Sequence, residues 1–221
     1  MRWKNNVRSL IIIAIEGLPH VSINSAILFA AFSSLGIGFG AALLALVLAW
    51  PLGKMPQLAA QNLALAGLIV PPAVMATGWF LALKKFDTGI AVTLLSVIIL
   101  NAMMALPFSV AILRARFVNS GAPYEKLCRQ LGLAGWKRFW RIDLPFMAPA
   151  LRQAGLISFV VSLGDLTAVT LLGSNGLTTL PQLIHQQMGN YRSNAAAGTA
   201  LVLALCCLGL AMLAQRSGKA Q

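Results

Sequence analysis

Carboxylates and imidazoles are the raw material of most catalytic and metal centres, and this sequence holds five Asp and Glu and two His among 221 residues. His20 and His185 are separated by most of the chain, and no two carboxylates stand at helical spacing. A paired acid and base, a nucleophile with its base and a metal cluster therefore all lack a foundation. Phosphate chemistry fares no better. The pairs Gly53-Lys54 and Gly218-Lys219 lack both the upstream glycine and the following Ser or Thr of a phosphate-cradling loop. These patterns argue against an enzyme. One carboxylate stands apart: Asp165 lies alone in the apolar run from Met147 to Leu172, where a charge at the bilayer centre costs about 2.5 to 3.5 kcal/mol on insertion scales. Two roles could offset that cost. Gly164 can break the helix so that Asp165 caps the segment beginning at Leu166, accepting a backbone N–H from Thr167 or Ala168. Alternatively the carboxylate faces a solute pathway, for which Asn101 is the second candidate.

The elements that must position these residues are set by composition. The chain is 58% hydrophobic and 10% charged, with a mean hydropathy of +0.80, whereas soluble domains carry about a quarter charged residues. Such a chain needs lipid as its solvent. Five stretches have roughly the 20 apolar residues needed to cross a hydrocarbon core of about 30 Å: Asn24 to Trp50, Ala59 to Leu83, Ile90 to Leu113, Met147 to Leu172 and Ala195 to Ala214. They are continuously apolar instead of alternating, which predicts helices and excludes barrel strands. The expected fold is an all-α transmembrane bundle of about five spans. Pro71 and Pro72 must break or kink the second, since neither donates a backbone hydrogen bond. Gly36, Gly38 and Gly40 read either as close packing or a flexible gate, or as the ordinary glycine content of membrane helices.

The net charge of +12 gathers between spans, as membrane orientation requires, and so points to lipid and not to nucleic acid. Cys128, Cys206 and Cys207 form no disulfide framework. Between about 114 and 146, seven basic residues face Glu125 and Asp143, a net of +5, which places this segment in the cytoplasm. Counting outward puts Gly173 to Asn194 outside. The same count leaves Arg2, Lys4 and Arg8 outside, so residues 1–20 are expected to form a partial or interfacial segment, with the membrane domain over 21–221. Leu10 to Ile15 is too short to cross, and Glu16 and Pro19 interrupt it.

Within the cytoplasmic segment, Pro123 suits a first helical turn, Tyr124, Leu127 and Leu131 make one apolar edge, and Gly132 suits a left-handed helix end. A short helix across the membrane face is expected there. Trp136, Phe139 and Trp140 come next at i, i+3 and i+4 between basic residues, the pattern of a helix at headgroup level with its aromatics down. Outside, Gln186, Gln187, Tyr191 and Arg192 read equally as a docking surface and as an interfacial hairpin.

Gly132, nine further residues and Ile142-x-Leu144-Pro145 resemble the second half of the permease signature of ABC importers, although Lys126-Leu127-Cys128 replaces its Glu-Ala-Ala. The run from Tyr124 to Trp136, with its Leu-Cys pair, is more similar to the carboxy-terminal half of the thiamine ABC permease family. Ser162-Leu-Gly-Asp-Leu166, Thr179-Leu-Pro-Gln-Leu183 and Gln186 to Ser193 also look familial. The resemblance implies a type I importer permease of the bacterial inner membrane, resembling one half of a fused pair short of its first helix. It implies that cytoplasmic ATPase subunits grip Tyr124, Glu125, Lys126, Leu127, Cys128, Gly132, Ile142, Leu144 and Pro145, and that a periplasmic binding protein delivers thiamine or its phosphates. It further implies a second permease half, and ATP used only by the partner, with no cofactor in this chain. A permease for ferric iron or another small solute, or a secondary transporter, is the alternative reading.

Overall fold

The computed structural model describes residues 25–55, 70–83, 89–130, 135–172 and 178–216. Residues 1–20, expected as a partial segment, and Gly132 lie outside the described residues. Three helices carry the scaffold: α1 (Ser25–Lys54), α3 (Ile90–Gln130) and α5 (Leu144–Gly164). Three described stretches, Ile27–Lys54, Ile90–Val118 and Phe139–Gly164, are long and apolar enough to cross a bilayer. Helix α2 (Pro72–Leu83) begins at the second proline, because a ring without an N–H fits a first helical turn and not an interior one.

Helices α1, α3 and α5 pack on one another. Near the cytoplasmic ends Ala49, Val110, Leu113, Met147, Ala150 and Ala154 form one cluster, and Ala41, Ala45, Ala102 and Ala105 form a seam of small residues higher up. With no hydrophobic drive between helices in lipid, such small side chains let backbones approach closely and gain dispersion contacts. Gly38 belongs to this logic: a Cβ there would sit 3.0 Å from the Phe159 ring, whereas Gly36 faces open space. A Cβ at Gly40 would sit 3.1 Å from Ile98, so packing explains two glycines of the triplet and not Gly36.

Two departures from the sequence expectations matter. The cytoplasmic segment 114–130 is not a separate helix; it continues α3 without interruption over 41 residues. Arg114, Ala115 and Arg116 are good helix formers, and Arg114 Nη1 donates to the Met55 carbonyl at 2.6 Å, fastening the helix to the end of α1. The apolar run Met147 to Leu172 breaks where the capping reading of Gly164 and Asp165 expected. It divides into α5 and a short α6 (Thr167–Leu172) around extended Asp165. The outer segment, read as a hairpin loop, contains α7 (Leu180–Gly189) before α8 (Ser193–Arg216).

Between α3 and α5 the chain makes a four-residue helix, α4 (Gly135–Arg138), and a π-helical turn, Phe139–Asp143. The Leu144 N–H donates to the Phe139 carbonyl, five residues back. Arg138 Nε reaches Asp143 Oδ1 at 3.4 Å across the same interval. Phe139 does not point only toward lipid: its ring stands edge-on to Trp50 of α1, centroids 5.2 Å apart, while Trp140 is exposed.

Candidate functional site

Asp165 and Asn101, expected separately from sequence, line the same small cavity, together with Ser34, Ile37, Ser162, Leu163, Val169, Thr179 and Pro181. Its volume is about 10 Å³. The break after Gly164 creates one wall. There Asp165 Oδ1 accepts the Thr167 N–H at 3.0 Å and Oδ2 accepts the Ala168 N–H at 3.3 Å, so the carboxylate caps α6. Among the described residues the ion pair is Arg138 with Asp143, so no cation there balances Asp165.

Asn101 sits eleven residues into α3, about 16 Å from its start at 1.5 Å per residue, which is membrane depth. It is 1% exposed. Its Nδ2 donates to Ser162 Oγ at 2.8 Å and more weakly to the Ser162 carbonyl at 3.4 Å. Since a carbonyl only accepts, these bonds fix which way the amide faces. Eight residues on, the hydroxyls of Ser109 and Ser158 meet at 2.6 Å, continuing a polar seam between α3 and α5. Irregular backbone at membrane depth is tolerated where it is buried in protein or lines a cavity, and Asp165 lines one.

The outer wall comes from the segment entering α7. Ser34 Oγ accepts the Leu180 N–H at 2.8 Å, and Ser33 Oγ donates to the Thr178 carbonyl. Two sequence stretches, Ser162 to Leu166 and Thr179 to Leu183, thus meet in space. Ser34, Ser162 and Thr179 were not singled out from sequence as site residues. Small hydroxyls in apolar runs carry little signal alone; the adjacent Ser33-Ser34 pair was the available hint.

The remaining candidates are distributed. Ile142 lies in the π-helical turn, and Leu144 and Pro145 open α5. Tyr124, Glu125, Lys126, Leu127 and Cys128 fall in the last turns of α3, their side chains outside the described set. On the outer side Gln186 is exposed, whereas Gln187 Oε1 accepts the Thr199 hydroxyl at 2.9 Å and so braces α7 against α8. Tyr191 and Arg192 follow α7 directly after its cap, Asn190. Tyr191 N–H donates to the Met188 carbonyl and Arg192 N–H to the Gln187 carbonyl, the paired bonds of a helix end whose left-handed position usually holds glycine. Here Tyr191 takes it at φ 56 and is 96% exposed.

The model of binding-protein-dependent transport system inner membrane components matches residues 43–219. The chain belongs to that family. A broken helix at membrane depth and a polar seam between spans are thus features of an inner-membrane transport component, and the long apolar helices cross that membrane. Among its relatives, the thiamine transport system permease protein of Brucella abortus is 39% identical over 194 residues, 84% of this chain and 36% of the relative. That of Haemophilus influenzae is 41% identical over 146 residues, 66% of this chain and 27% of the relative. That of Salmonella typhimurium is 33% identical over 223 residues, 94% and 41% respectively. The chain therefore spans about a third of the length of the relatives it matches.

Proposed function

We propose that this family member acts as one transmembrane half of an ATP-driven thiamine importer. The observation that carries this reading is the run of thiamine permeases similar to it, which cover up to 94% of the chain. Cytoplasmic ATPase subunits engage the end of α3 near Tyr124 to Cys128 and the Ile142-x-Leu144-Pro145 turn. A periplasmic binding protein docks outside at Gln186, Tyr191 and Arg192, and a second permease half completes the pathway. Binding and hydrolysis by the partner shift the balance of inward-open and outward-open states.

Asp165 and Asn101 belong to this pathway as its closed part. A space of about 10 Å³ is far below the roughly 300 Å³ or more that small-molecule pockets occupy, so a solute passes only after α6 and the Thr179 segment separate from α3. The test is uptake of radiolabelled thiamine in cells whose own thiamine permease is deleted, with and without the amino-terminal partner half. Uptake that requires both halves and the ATPase supports the reading. No uptake when every component reaches the membrane defeats it.

A further inference from the structure

Two buried polar atoms at the same cavity have no protein partner: Asn101 Oδ1 and Thr179 Oγ1. Both residues are almost wholly enclosed, at 1% and 3% exposure. Neither atom is left over by careless packing. The Asn101 amide is held by Ser162 through its other end, so Oδ1 must face away from α5. Thr179 stands at the N-cap of α7, where a threonine hydroxyl ordinarily accepts a backbone N–H, yet its side chain makes no such bond. A buried group without a partner carries its full desolvation penalty, and the lipid around a membrane helix supplies no relief.

We infer that the cavity between Asn101, Asp165, Thr179 and Ser34 is a binding site for a single structural water. The size fits, since one water needs about 10 to 15 Å³ of this kind of volume. The chemistry fits more tightly. Asn101 Oδ1 is an acceptor, and the Asp165 carboxylate keeps lone pairs beyond the two it gives to Thr167 and Ala168. The Thr179 hydroxyl has a proton to donate, and so does that of Ser34, whose oxygen already accepts the Leu180 N–H. A water gives two protons and accepts two. Its donors meet Asn101 and Asp165, and its acceptors meet Thr179 and Ser34, within the usual two to four bonds of buried water.

Placed there, the water joins α1, α3, the α5–α6 break and the start of α7 at one point. Asn101 and Thr179 become positioning residues. They hold the carboxylate hydrated while the outer segment is shut, whichever solute the protein moves.

X-ray hydroxyl-radical labelling of the full chain in lipid nanodiscs, read by mass spectrometry, tests this, because ordered water generates radicals beside it. Leu163 and Val169, which line the cavity, are expected to label several-fold faster than the equally enclosed Leu113 and Val97. Thr179→Val should abolish the difference, and Thr179→Ser should restore it. Labelling no faster than at Leu113 overturns the site, as does Thr179→Val that labels like the unmodified chain. Replacing sodium with N-methylglucamine separates water from a cation: unchanged labelling and thermal midpoint agree with water, and a sodium-dependent midpoint refutes it. Should Thr179→Val not accumulate, Asn101→Leu at the opposite wall, similar in size but apolar, serves in its place, with the same loss expected and the same retention refuting.

Discussion

At the scale of single residues, the Asp165 cap separates what a charge does from what an oxygen does. Asp165→Asn keeps an acceptor for the Thr167 N–H and loses the charge, so it should accumulate in membranes nearly as well as the parent. Asp165→Leu removes the cap, for about 0.5 to 2 kcal/mol, and leaves two N–H groups unsatisfied, so it should accumulate poorly on immunoblots of the membrane fraction. If Asp165→Asn is well folded yet moves no thiamine, the charge itself serves the pathway. Tyr191 gives the opposite contrast. A non-glycine residue in the left-handed conformation costs roughly 1 to 2 kcal/mol, and 96% exposure of its ring returns nothing from packing. Tyr191→Gly should therefore raise the thermal midpoint while lowering binding-protein-dependent uptake. A gain in both would remove Tyr191 from the docking surface. The Asp165 cap was legible in the sequence because Gly164 beside a lone carboxylate in an apolar run leaves few ways to satisfy it. Its neighbours were not legible, because Asn101 meets Ser162 only through helix packing across 61 residues of chain.

At the scale of elements, close packing of α1 against α5 makes a sharp forecast. Gly38→Val forces a methyl-bearing carbon to within 3.0 Å of the Phe159 ring, and overpacking of this kind costs typically about 1 to 3 kcal/mol. Gly36→Val, one turn's fraction away and facing open space, should shift the thermal midpoint little; equal losses at both positions would show that helix propensity and not packing decides. The positions of the apolar helices came from hydropathy, since length and composition alone separate lipid-crossing stretches from the rest. Three features escaped. Leu180 to Gly189 looked like a loop because Pro181 and nearby Asn175-Gly176 are turn signals, yet proline at a first helical turn starts α7 as readily as it ends another. The stretch after Leu113 looked like a boundary because charge begins there, although arginine carries a helix well. The π-helical turn has no compositional mark at all, and depends on Phe139 meeting Trp50 and Arg138 meeting Asp143.

At the scale of the whole molecule, α1 presents Leu28, Phe32, Phe39, Leu43 and Val47 outward, each more than half exposed. Such a surface belongs to lipid or to the second half proposed above. Phe39→Lys places a charge in that surface at a cost of about 2.5 to 3.5 kcal/mol near the bilayer centre and should reduce membrane accumulation, whereas Gln186→Lys on the outer helix should not. Equal accumulation would mean that Phe39 faces water. The unbroken course of α3 has a different consequence. Forty-one residues at 1.5 Å each make a rod of about 61 Å, with Tyr124 near one end and Asn101 a little over a quarter of the way from the other. Pro107 stands between them and removes one backbone bond, yet the helix runs on without a break. A tilt of about 5° about its far end would sweep the cytoplasmic tip through roughly 5 Å by this length, and would swing Asn101 by about 1.5 Å in the same instant. Under the proposed ATPase contact at this tip, arrival of the power stroke and loosening of the polar closure are one displacement seen at two radii, and no separate signal has to travel between them.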